Sequence, residues 1–211
     1  MIQTLVQHHP SRAHLLPALL ERLPSGAVVV TDPEPDGIPN PWRCYRACLQ
    51  AIQDEATHVL IVQDDALPHP DFPLVVTRCV EARPDRIVCF FVTSHAVQGA
   101  RRMLQSQSPW VEMLPTEYLP VVATSWPVEQ ARAFYAWTEK MIVPTKRSDD
   151  GIAGRWIRHH SVRPIATVPC LVQHPDMEPS LIGKRAMAGK NPIRVAIIDP
   201  ADRDILSIDW S

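Results

Sequence analysis

Short runs of near-continuous hydrophobicity recur along this chain, and stretches with helical periodicity separate them. "IQTLVQ", "GAVVVTD", "HVLIVQDD", "RIVCFFV" and "LPVVATSW" are rich in β-branched residues and too short for helices, so they read as strands. Runs that are apolar throughout, not alternating, belong to strands covered on both faces. Between them, "SRAHLLPALLERL", a segment from Asn40 and Pro41 to about Gln53, and one from Phe72 to Glu81 read as helices. "PVEQARAFYAWTEKM", opened by Pro127, and "SDDGIAGRWIRHH", with an acidic start, continue the series. Strands alternating with helices predict an α/β fold with a mixed, mainly parallel sheet flanked by helices. "RPIATVPCLVQHP" returns to strand, "IRVAIID" is a late strand, and residues 94–117 hold a small hairpin or short helix.

The chain has 211 residues, enough for one domain with a core of its own. Hydrophobic residues make up 45% and charged residues 21%, the balance of a soluble globular protein. No apolar run approaches the roughly 20 residues that span a bilayer, and "MIQTLVQHHPSR" lacks the flank and cleavage site of a signal peptide. The five cysteines are odd in number and irregularly spaced, which is no disulfide framework and fits a cytoplasmic, reducing setting. Cys44 and Cys48 share a helix face and read as small buried hydrophobes, not as zinc ligands. A formal charge of −2 gives no global attraction for nucleic acid. "IGKRAMAGKNPIR" nevertheless gathers Lys184, Arg185, Lys190 and Arg194 with no acid among them. The 22 prolines against 7 glycines imply stiffened loops and leave no Gly-rich phosphate loop.

Three segments carry groups that can do chemistry. In a parallel α/β sheet, ligands bind beyond the carboxyl ends of the strands. Asp64 and Asp65 follow such a strand. They either cap the turn into "ALPHPDF" or hold a hard divalent cation such as Mg²⁺ or Mn²⁺. His174, in "LVQHP", sits just past another apolar run, where an imidazole is either an exposed polar group or a metal ligand. Asp149 and Asp150 open a helix, as an N-cap pair or as a general base facing a pocket.

The order of these segments resembles the nucleotide-sugar glycosyltransferases of the A-type, Rossmann-like fold. The likeness is to the family of lipopolysaccharide-type galactosyltransferases and collagen glucosyl- and galactosyltransferases. It rests on "CLQAIQDEATHVLIVQDDALPHPDF", which echoes a strand ending in "LEDD", and on "PCLVQHPDMEPSLIG". It covers about Gln50 to Phe72 and Ser148 to Gly183, and Gln63 stands where the family often has an acid. The resemblance implies a catalytic domain over residues 1–183 and a basic C-terminal extension over 184–211, packed on or closing over the site. It implies Mn²⁺ or Mg²⁺ held by Asp65, with Asp64, and by His174, and a donor that is a nucleotide-sugar such as a UDP-sugar. Asp150 or Asp149 is then the base for the acceptor hydroxyl of an inverting transfer. Asp32 falls where such folds meet the nucleoside, Arg43 and Arg46 near it, and Lys184 and Arg185 where they close over the diphosphate.

The acceptor is less constrained. Trp110, Tyr118 and Trp126 are stacking surfaces or local core plugs. Arg101, Arg102, Lys146, Arg147, Lys184, Arg185 and Lys190 form a basic surface if they gather. Two acceptors follow: a saccharide, lipid-linked at the inner membrane face, or a hydroxymethylated base in phage-type DNA. The competing expectations are a non-catalytic nucleotide-binding scaffold whose acids are only caps, and a nucleotidyltransferase.

Overall fold

The apolar runs assemble into one sheet in the computed structural model, which describes residues 1–117, 119–141, 148–175, 195–201 and 203–211. In chain order, β1 is Ile2–His8, followed by a 3-10 turn at Pro10–Leu15, α1 at Leu16–Leu20 and β2 at Val28–Thr31. Then come α2 (Pro41–Gln50), β3 (His58–Gln63), β4 (Leu67–Pro68), α3 (Phe72–Ala82) and β5 (Val88–Cys89). The remainder is α4 (Val97–Gln105), β6 (Trp110–Glu112), β7 (Ala123–Pro127), α5 (Val128–Glu139), α6 (Asp149–His159), β8 (Ile165–Thr167) and β9 (Val172–Gln173).

Seven strands form a mixed sheet in the order β2-β1-β3-β7-β5-β8-β6. β1 pairs in parallel with β2 and β3, and β5 with β8, whereas β7 runs antiparallel to β3 and β5 and β6 antiparallel to β8. The protein is therefore α/β, with helices flanking a mainly parallel sheet. Val59, Leu60, Ile61 and Val62 of β3 are all fully buried, the pattern of a strand covered on both faces. β2 departs from its prediction as a buried strand: it lies at the sheet edge, and Val28 is exposed.

α2, α5 and α6 pack against one another. Trp42, Tyr45, Trp126, Phe134 and Trp156 form an aromatic cluster between them and the sheet. Trp126 stacks on Phe134 at 5.3 Å, and its indole N–H donates to Thr124 Oγ1 at 3.0 Å, so its one polar atom is satisfied inside the core. Each such ring pair adds about 0.5–1.5 kcal/mol beyond its buried area. Trp126 is thus a core residue and not a stacking platform for a ligand.

Two further expectations are corrected. The helix over "SRAHLLPALLERL" breaks into a 3-10 turn and a five-residue α1, because Arg12 adopts φ −109° and ψ 18° and Pro17 enters at the first turn. "IRVAIID" forms no strand in its described part: Ile197 N–H bonds to Val92 O without a ladder. The C-terminal segment is nonetheless part of the main body, since Ala196, Ile205 and Trp210 join the same hydrophobic core. Trp210 packs on Trp110 at 5.4 Å, which makes Trp110 a plug under the tail. Among the described residues no helix is long and apolar enough to cross a membrane.

Candidate functional site

A cleft of about 370 Å³ opens where the strands of the sheet's first half end. Its polar lining comes from distant segments: Gln7, His8 and His9 at the end of β1, Asp32 after β2, and Gln63, Asp64 and Asp65 at the end of β3. Asp149 and Asp150 enter from the start of α6, and His174 from the residue after β9. The cleft is large enough for a nucleotide-sized ligand. Lys184 and Arg185, and likewise Tyr118, Lys146, Arg147 and Lys190, lie outside the described residues.

β4 and β9 account for the approach of the two halves. Leu67 pairs with Gln173 and Pro68 with Val172 in a two-stranded ribbon, which lays "LVQHP" beside "DDALP". His174 Nε2 consequently lies 3.1 Å from Asp65 Oδ2, although 109 residues separate them in the chain. Gln173 fastens the arrangement: its Oε1 accepts from His174 N–H at 2.9 Å and Ala196 N–H at 2.7 Å, and its Nε2 donates to Asp199 Oδ2 at 2.9 Å.

Asp64 and Asp65 share a cation that the sequence reading overlooked. Arg12 Nη1 is 3.0 Å from Asp64 Oδ1 and 2.7 Å from Asp65 Oδ2. Asp64 Oδ2 also accepts from His9 N–H at 2.7 Å and lies 3.1 Å from His8 Nδ1. Burial pushes the Asp64 carboxyl above its ordinary value, helped by the charge of Asp65 and opposed by the His9 N–H and the Arg12 guanidinium. Arg12 and His8 gave no signal in the sequence, because an arginine in a helix-like stretch reads as solvated until the turn folds it under the strand.

Asp149 has a different environment. Ser148 is the N-cap of α6, its hydroxyl accepting from Gly151 N–H at 3.2 Å, which releases the Asp149 side chain to turn inward. Asp149 Oδ2 accepts from Gln7 Nε2 at 3.0 Å and from Gln63 Nε2 at 3.2 Å, and Oδ1 accepts from Asp150 N–H at 3.0 Å. Gln7 and Gln63 are register partners on β1 and β3, so their side chains lie on the same face. An acid at position 63 would set a carboxylate against Asp149; the amide supplies a donor instead. Burial raises the Asp149 pKa, and the donations from Gln7, Asp150 N–H and Gln63 oppose it. Asp150 is half-buried, with Oδ1 accepting from Val121 N–H at 2.8 Å.

Asp32 lines the cleft, and Arg43 binds it from α2. Arg43 Nε donates to Asp32 Oδ1 at 2.6 Å and Nη2 to Oδ2 at 2.9 Å, while Nη1 reaches Glu34 Oε2 at 2.9 Å. Burial pushes Asp32 up, but the Arg43 fork, the Glu34 N–H and the charges of Arg43 and His9 bring it net below its usual value. Arg46 is placed elsewhere: it forms an exposed pair with Glu139 at 2.9 Å and does not line the cleft. Arg46 lies one turn after Arg43 on α2, and Glu139 belongs to α5.

The donor chemistry at Asp65 and His174 fits a divalent cation. Two ligands at about 2.1 Å on adjacent octahedral positions lie about 3 Å apart, and the carboxylate and imidazole are 3.1 Å apart. Among the described residues no group of three or more His, Cys, Asp and Glu is arranged to hold a metal. A two-ligand site completed by water and phosphate oxygens is the usual Mg²⁺ arrangement. Of the other arginines expected to form a basic surface, Arg101 is exposed and Arg102 pairs with Glu117 at 2.6 Å. No family model matches the sequence. No curated protein matches it either.

Proposed function

We propose that the cleft is the active site of a glycosyltransferase of the A-type fold, which moves a sugar from a nucleoside-diphosphate donor to an acceptor hydroxyl with inversion. One observation carries the reading. Asp32, Asp64, Asp65, Asp149, Asp150 and His174, singled out from four separate segments, line a single cleft at the strand ends. Caps serving only their own turns have no reason to converge.

Displacement at an anomeric carbon needs a base on one side and stabilisation of the leaving diphosphate on the other. Asp150 suits the base: it is half-buried, lines the cleft, and is oriented by Val121 N–H at one oxygen. Asp149 is too deeply enclosed to reach an acceptor and instead aims Asp150 through its backbone N–H. Asp65 and His174 would hold a divalent cation, which when bound neutralises diphosphate charge. The need for a cation follows from the lining: among the described residues five carboxylates face one arginine, Arg12, and the three imidazoles of His8, His9 and His174. Asp32 and its Arg43 fork would meet the nucleoside.

An acidic cleft favours a neutral hydroxyl, as on a saccharide, over one embedded in a polyphosphate duplex. The test is incubation with UDP- and GDP-sugars, with and without Mn²⁺, using saccharide and hydroxymethylated duplex as separate acceptors. Metal-dependent release of nucleoside diphosphate with the saccharide, lost in Asp65→Ala by roughly 10²–10³-fold, supports the reading. Transfer to the duplex alone moves the acceptor to DNA, and absence of donor binding in every arm rejects glycosyl transfer.

A further inference from the structure

Asp65 Oδ2 has two partners in the same plane of chemistry, His174 Nε2 at 3.1 Å and Arg12 Nη1 at 2.7 Å. The second is a full positive charge on the oxygen that the proposed cation would need. Arg12 is not a surface arginine that happens to lie nearby. It is 8% exposed, lines the cleft, and reaches the acids only because its backbone leaves helical geometry at φ −109° and ψ 18°.

We propose that Arg12 is the built-in counter-ion of the acid pair and competes with the divalent cation for Asp65, so that Arg12 sets the affinity with which the site takes metal. This rests on the reading of Asp65 and His174 as metal ligands. An ion ligated at about 2.1 Å by Asp65 would lie within a few ångströms of the Arg12 guanidinium, so the two cations would repel each other and divide the charge of one carboxylate. The exchange is local. Asp64 keeps His8 and the His9 N–H as partners, and Asp64 Oδ1, 3.0 Å from Arg12 Nη1, gives the guanidinium a carboxylate to withdraw to. Displaced from Asp65, Arg12 still lines the cleft as a fixed cation beside an incoming diphosphate. In the absence of metal the same contact keeps two adjacent, nearly enclosed carboxylates from repelling one another.

The experiment is a titration of the full chain with Mn²⁺ alone, following free ion by electron paramagnetic resonance. Wild type is compared with Arg12→Gln, Arg12→Met, Asp65→Asn and the Arg12→Gln/Asp65→Asn double variant. Arg12→Gln and Arg12→Met are expected to bind Mn²⁺ about tenfold or more tightly than wild type, because each removes a like charge a few ångströms from the ion. Asp65→Asn is expected to lose binding in both backgrounds. If wild type binds Mn²⁺ through Asp65 and both Arg12 variants bind no tighter, the metal reading survives and the competition is refuted. If no variant binds Mn²⁺, both fail. Should the Arg12 variants not fold, wild type decides the matter: titration with Mg²⁺ is expected to move one protected arginine side-chain N–H resonance, and an unmoved spectrum at saturation overturns the proposal.

Discussion

Asp64–Asp65 and Asp149–Asp150 are both consecutive aspartates at one cleft, yet the molecule neutralises them by opposite means. The strand-end pair is held by charge, with Arg12 between the carboxylates and His8 and His174 on the flanks. At the helix-start pair, Asp149 accepts from neutral donors, two glutamine amides and the Asp150 N–H, and Asp150 accepts from the Val121 N–H among its partners. A neighbouring cation favours the ionised carboxylate, although at Asp64 burial outweighs Arg12 and the pKa is still raised. At Asp149 two effects oppose each other: burial raises its proton affinity and the amide donors that reach it lower it, with burial the larger. The same dipeptide thus meets an arginine at a strand end and, at Asp149, glutamine amides at a helix start.

The comparison breaks most sharply at Asp150. Asp150→Asn is expected to lower kcat by about 10²–10⁴-fold with little change in donor KM, measured by nucleoside diphosphate release at saturating donor. A variant with wild-type kcat would leave the helix-start pair purely structural. Next in size is Gln63→Glu, which replaces an amide donor to Asp149 by a second carboxylate. The expected loss is roughly 1–3 kcal/mol at neutral pH, read from denaturant unfolding. The two carboxyls would share a proton in the folded state, raising its pKa above the unfolded value of about 4. The deficit is therefore full above the folded pKa and vanishes as pH falls toward the unfolded one. A deficit that does not change with pH would show that charge is not what Gln63 avoids.

Asp32 offers a third mode for contrast, a carboxylate closed by an arginine fork and held below its ordinary pKa. Its contribution is present above about pH 3.9 and lost as pH falls through the folded value. Asp32→Asn should lower Tm at neutral pH, with the gap to wild type closing in acid. The smallest effect is expected at Arg46, whose pair with Glu139 is exposed. Arg46→Ala should cost less than about 1 kcal/mol and leave donor affinity unchanged by calorimetry; a weakened donor would return Arg46 to the site.

Much of this was legible from the chain alone, for reasons that differ by residue. β1, β3, α2, α3, α5 and α6 appear close to their expected bounds because buried β-branched runs and amphipathic helices with start signals leave little freedom. The 3-10 turn at Pro10–Leu15 was read as helix because its leucines keep helical spacing, while the backbone at Arg12 answers to the acids it meets. The reversed direction of β7 has no local signal, since strand polarity depends on where the chain returns after residues 94–122.

At the site the division is the same. Which acids matter could be argued from position in the chain, because strand ends and helix starts are where an α/β sheet presents polar groups. Their partners could not. The sequence by itself determined an alternating α/β chain whose acids collect at strand and helix ends, because hydrophobic periodicity and capping act over a few residues. Only the tertiary structure decided that Gln7 and Gln63 share Asp149, that Arg12 lies between Asp64 and Asp65, and that Arg46 faces away. Each of those is a contact across tens of residues, set by strand register and by a two-stranded ribbon that no local pattern encodes.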